Sequence, residues 1–138
     1  MEKQATCRER VRPHLDERMS DIRKLWAAYR RGDERGVEDL GTFHEYGLGF
    51  DYVAPGTFKG QRRGYFRYQL SWGGPSEEFR FFCDENLDPV RIEFWFLDWF
   101  DGAKITLSGR DRELLVEIFG DFQDTGTVKH EYDQAMKH

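Results

Sequence analysis

The first clear pattern along the chain is an apolar stripe of helical period. Leu15, Met19, Ile22, Trp26 and Tyr29 recur at spacings of four, three, four and three, with Leu25 beside them. That spacing lines one face of a helix. Thr6 followed by Glu9 fits a capping box, so a helix is expected over residues 6–31, closed by Arg30, Arg31 and Gly32. Pro13 leaves two readings: the main helix starts near Arg12 with Pro13 in its first turn, or a longer helix is kinked there. Residues 32–47 are polar and glycine-spotted and read as a loop, with a short helical turn at Val37–Leu40.

From residue 48 the period changes from helical to alternating. Leu48, Phe50, Tyr52 and Ala54 share one parity, as do Phe66, Tyr68, Leu70 and Trp72, then Phe79, Phe81 and Cys83, then Ile92, Phe94 and Phe96. Each set is one face of a strand. "GGPS" and "DENLDP" are turn compositions, and the Asp101–Gly102 pair is a hairpin signal that returns the chain through Ala103, Ile105 and Leu107. Ser108 and Asp111 fit a second capping box ahead of a helix over roughly 110–122, with Leu115, Ile118, Phe119 and Phe122 on its apolar face. A last short helix carries Val128, Tyr132, Ala135 and Met136. The expected architecture is one α+β domain: an N-terminal helix, an antiparallel meander of about five strands, and one or two C-terminal helices packed on one sheet face.

The other strand parity is unusual. It carries Tyr65, Arg67, Gln69, Arg80, Phe82, Glu93, Trp95, Leu97 and Trp99, too many rings for a plain wet surface. Intramolecular cover, a homodimer or a foreign partner would each account for it, since tryptophan, tyrosine and arginine concentrate in interfaces. Glu93 on this side is expected in solvent. Asp98 shares parity with Phe94 and Phe96, and a buried unpaired carboxylate is costly. A bulge could turn it out, an arginine such as Arg67, Arg80 or Arg91 could pair with it, or it could act as an acid in a cleft.

Composition narrows the chemistry. Aromatics make up 16% of 138 residues, and the two cysteines, Cys7 and Cys83, form no disulfide framework or zinc spacing. A reducing cytosol fits, and the charged N-terminal stretch has no secretory apolar segment. The histidines His14, His44, His130 and His138 fit no metal motif, so neither metal nor cofactor is expected. His44 beside Glu45 reads as an ordinary loop histidine, and Cys83 as an inert strand thiol. An enzyme would need Asp98 to meet His44 or Glu45 in one pocket. No catalytic motif is present, and a non-enzymatic role is expected.

Charge is uneven. Residues 1–76 hold 14 Lys and Arg against 11 Asp and Glu, and residues 77–138 hold 7 against 15. The acidic half suits a basic partner and disfavours direct nucleic-acid binding there. Arg62, Arg63, Tyr65 and Arg67 form the alternative, a basic and aromatic strand able to hold a nucleotide or single strand. The plainer account of that strand is cross-strand pairing with Glu77, Glu78 and Glu93.

At "GYFRYQLSWGGPSEEFRFF" and "RIEFWFLDWFDGA" the chain resembles a family of small proteins carried on proteobacterial plasmids and integrative elements, over most of residues 46–107. The resemblance implies a context of inhibitors of host defence, of the antirestriction or anti-CRISPR type, and assigns no catalytic residue. The expected partner is a host protein or ribonucleoprotein with a basic surface. Asp84, Glu85, Asp88, Asp98, Asp101, Asp111, Glu117 and Asp121 would enter its groove, with Trp95 and Trp99 as apolar anchors.

Overall fold

A computed structural model describes residues 5–137; the first four residues of the charged N-terminal stretch, and His138, lie outside the described residues. The chain forms α1 (Cys7–Arg30), α2 (Phe43–Tyr46), β1 (Gly49–Val53), β2 (Tyr65–Ser71), β3 (Ser76–Cys83), β4 (Pro89–Asp98), β5 (Asp101–Thr106), α3 (Gly109–Asp124) and α4 (Thr127–Ala135). The five strands pair antiparallel in the order β1-β2-β3-β4-β5. This is the expected α+β arrangement.

The N-terminal helix begins where the capping signal places it. The Thr6 side chain accepts the Glu9 amide at 3.2 Å. Pro13 lies inside a continuous helix from Cys7, and not in a first turn at Arg12. The apolar stripe then buries Leu15, Met19, Ile22, Leu25 and Trp26, and Cys7 and Val11 extend it by two turns. The loop that follows differs from expectation. Val37–Leu40 is a turn closed by a Val37–Gly41 bridge, and the short helix comes later, at Phe43–Tyr46. Thr42 and Glu45 make a full capping box there, satisfying the free amides of a single turn.

Helices cover one sheet face only. α1 crosses β4 and β5, α3 packs over the middle strands, and α4 lies along β1. Phe66, Phe79, Phe81, Phe94, Phe96 and Phe119 are fully buried between the layers. Burying one such ring contributes on the order of 2–3 kcal/mol. Between Gln69 and Ser71 the register with β3 shifts, so Leu70 is an extra residue in β2. The bulge changes which way the strand end points. Trp72, which shares the core parity in sequence, is 73% exposed. Ser108 precedes α3 but makes no side-chain cap; Asp111 instead pairs with Arg23 of α1.

The sheet face away from the helices is covered by its own side chains. The Arg80 guanidinium lies 3.9 Å from the Trp95 ring centroid and 4.7 Å from that of Tyr65, while Arg63 and Arg91 lie over Phe82. Lys104 flanks Trp95 from β5. Glu93, expected in solvent, is 2% exposed beneath them. It accepts from Lys104 Nζ and Trp95 Nε1 and is ion-paired with Arg91. Cations with long apolar stems cover what no helix covers.

Candidate functional site

The β2–β3 and β4–β5 connections lie at the same end of the sheet, because antiparallel strands in sequential order bring alternate turns together. The β4–β5 turn is not Asp101–Gly102. Asp98 pairs with Asp101, so Trp99 and Phe100 are the two loop residues, and Asp101–Gly102 open the return strand. Trp99 has φ 56°, the left-handed region that suits glycine. Its side chain is 90% exposed, and Phe100 is fully exposed. With Trp72 on the neighbouring hairpin, three large rings project at one end of the sheet. Scattered apolar residues need no explanation, but grouped ones mark contact sites.

The base of this aromatic end is rigid. Asp98 faces the helix side, as its parity requires, and Arg10 Nη1 donates to its Oδ2 at 2.6 Å. Arginine pairing is therefore the resolution for Asp98, with the partner on α1 and not Arg67, Arg80 or Arg91. Arg10 also lies over the Phe96 ring. Asp101 Oδ2 accepts the Cys7 amide and its Oδ1 the Gly102 amide, each at 2.9 Å. The Cys7 backbone and then its thiol hold the Asp101 carboxyl below its ordinary range. Burial, with the Asp101 contact, raises the Cys7 thiol, which stays protonated.

Two open depressions flank Trp99. One, of about 580 Å³, lies between the hairpins against Gly73, Gly74 and Pro75; the other, of about 450 Å³, lies between Phe100 and the first turn of α1. Both share Arg10, Asp98 and Trp99. The site thus offers projecting rings beside sockets, with one neutralised ion pair at its floor.

The ten residues expected to meet a partner fall in separate places. Asp98, Trp99 and Asp101 are at the aromatic end. Asp84, Glu85 and Asp88 form the β3–β4 turn at the other end of β4, whose ten residues span about 30 Å. There Asp84 accepts the Asn86 and Asp88 amides and Asp88 accepts from Gln123. Trp95 is on the helix-free face. Asp111, Glu117 and Asp121 are on α3, turned to α1: they meet Arg23, Arg30 and the Tyr29 hydroxyl respectively. Much of the acidic excess therefore serves internal pairing with the arginines of α1. Glu77 belongs to the same seam. It is buried, bonded to Arg18 and 2.5 Å from His14 Nδ1, and so points opposite to Glu78 and Glu93.

Of the alternative residues, Arg67 is bound twice by Asp51 of β1, Tyr65 is 3% exposed, and Arg62 and Arg63 are exposed. Acid–base chemistry between Asp98 and His44 is ruled out by distance. Asp98 is tied to Arg10, whereas His44 packs on Tyr29, about 28 Å further along α1. Glu45 caps its own helix. Burial pushes the Cys83 thiol up to about 12, which favours the protonated thiol. No group of three or more metal-ligating side chains comes together among the described residues, and no helix among them is long and apolar enough to cross a membrane. Trp72 and Phe100 are site residues that the sequence pattern did not single out. Aromatics next to "GGP" and inside a two-residue turn were the available signal.

Comparison of the chain with protein-family models, curated proteins and solved structures finds no match.

Proposed function

We propose that this chain is a non-enzymatic binding protein that engages a macromolecular partner through its aromatic end. The observation that carries this reading is the grouping of Trp72, Trp99 and Phe100, all strongly exposed, over two sockets and a fixed ion pair. Large rings in left-handed or strand-end positions are unfavourable for folding alone, and rigid aromatic anchors beside pockets are what interface hot spots use.

The partner we propose is a host complex that handles nucleic acid, in keeping with the resemblance to mobile-element proteins. Asp98 and Asp101 sit beside the anchors, while most of the α3 carboxylates face α1. The contact is thus aromatic first and acidic second. Affinity capture with the intact chain and with a Trp99→Ser/Phe100→Ser variant tests it. The intact chain is expected to capture a nucleic-acid-handling complex and to protect incoming DNA in a host. The variant is expected to lose at least 30-fold in affinity, as two central anchors imply. No protection by the intact chain, or full protection by the variant, would overturn the proposal.

A further inference from the structure

The helix-free sheet face forms a second surface, separate from the aromatic end. Seven of the 21 Lys and Arg residues, but three of the 26 Asp and Glu, lie on it or in the β1–β2 connection that runs into it. The cations are Lys59, Arg62, Arg63, Arg67, Arg80, Arg91 and Lys104. The carboxylates are Asp51, Glu78 and Glu93, and the last two are 2% exposed. Glu78 and Glu93 lie against the strands with their cations outward, while Asp51 at the sheet edge is partly exposed beside Arg67. Arg63 pairs with no carboxylate among the described residues, and the rest of the chain is strongly acidic.

The cations are also held flat. Arg80 bridges the Tyr65 and Trp95 rings, and Arg63 and Arg91 lie over Phe82. Arg80 is enclosed between its two rings and bonded to Glu78, whereas Arg63 and Arg91 rest on Phe82 and present an outer face to a base, as an aromatic platform would, with N–H groups at the rim for phosphate. Arg63 and Arg91 lie over Phe82 and Lys104 lies beside Trp95 on an open sheet face, which offers stacking and charge but no element that enters a duplex groove.

We propose that this face binds single-stranded nucleic acid without sequence preference, through Arg62, Arg63, Arg91 and Lys104. Phosphates meet the cations that outnumber the buried carboxylates, and bases stack on the ring-backed guanidiniums. The proposal is independent of the reading given for the aromatic end.

Fluorescence anisotropy of a labelled twenty-residue oligothymidine, titrated with the full chain at low salt, tests it. Saturable binding is expected, weakening about 100-fold for a tenfold rise in salt if three phosphates are neutralised. The Arg62→Ser/Arg63→Ser variant alters exposed side chains only, and retention of its fold is checked by circular dichroism. It is expected to bind about tenfold more weakly, with the salt slope reduced by about 1.4. The Trp99→Ser/Phe100→Ser variant is expected to bind the oligothymidine like the intact chain. Absence of saturable binding, tighter binding of a duplex of equal length, an unchanged Arg62→Ser/Arg63→Ser variant, or loss of binding in the Trp99→Ser/Phe100→Ser variant would each overturn the proposal.

Discussion

The two faces of one sheet bury their rings by different means. On one, phenylalanines meet phenylalanines and leucines from the helices, and Phe66, Phe79, Phe81, Phe94 and Phe96 are completely enclosed. On the other, Tyr65 and Phe82 are nearly as inaccessible, yet their cover is arginine. The first face gains from apolar contact at every atom. The second gains from stems and cation–π contacts while leaving charge outside. Equal burial therefore does not mean equal material, and a face sealed by cations keeps charge at its surface in a way that a helix-packed face does not.

The largest test of that contrast compares a ring from each side. Phe94→Ala opens a cavity among fixed neighbours and is expected to cost about 3–5 kcal/mol. Phe82→Ala is expected to cost roughly half as much, because the overlying arginines can settle into the space. Urea denaturation of both variants measures this, and equal losses would break the comparison. Next come the two buried carboxylates. Glu77→Ala leaves Arg18, which is largely enclosed, without its partner, and about 3 kcal/mol is expected. Glu93→Ala leaves Arg91 and Lys104 free to turn to water, so about 1 kcal/mol is expected. The same denaturation series ranks them.

The smaller tests concern the aromatic end. Trp99→Gly removes a side chain with almost no buried surface and relieves a left-handed backbone. Stability is expected to stay level or rise by up to about 1 kcal/mol, while partner capture is lost. Thermal melting together with capture separates the two effects; a clear loss of stability would mean that the indole supports the fold. Last, the Asp101 carboxyl titrates below the ordinary aspartate range in the fold. Its contribution to stability is full above about pH 4, the unfolded value, and is lost as pH falls through the folded one. Asp101→Asn is thus expected to lower stability at neutral pH by an amount that disappears in acid. A deficit that persists unchanged below pH 3 would contradict this.

Periodicity in the sequence carries most of the fold: the stripe on α1, the alternation in β1 to β5, and the apolar faces of α3 and α4. These patterns are local, and helices and strands obey them whatever lies opposite. The elements that periodicity missed depend on distant partners. Glu93 reads as a solvated strand residue because nothing within reach in sequence shows that Arg91, Lys104 and Trp95 will close over it. Asp98 reads as a problem whose solution, Arg10, is 88 positions away. The Asp101–Gly102 pair signals a hairpin tip two residues beyond the observed one, because turn composition does not reveal the register in which Asp98 faces Asp101. Trp72 shares the parity of Phe66, Tyr68 and Leu70, and the bulge at Leu70 that turns the strand end away is invisible to strict alternation. The candidate site was the least legible part, since it is made of the positions where local rules are broken.

The ties from Cys7 to Asp101 and from Arg10 to Asp98 also set an order in time. Neighbouring strands of a meander can pair as they emerge from the ribosome, but the floor of the aromatic end joins the first turn of α1 to a hairpin made 88 to 94 residues later. Closing so long a loop comes late in folding and at a cost in chain entropy. The rings of Trp99 and Phe100 are thus mounted on their support only when the sheet is complete. A partly folded chain therefore lacks the finished floor of the aromatic end, and the two projecting rings gain their fixed geometry last.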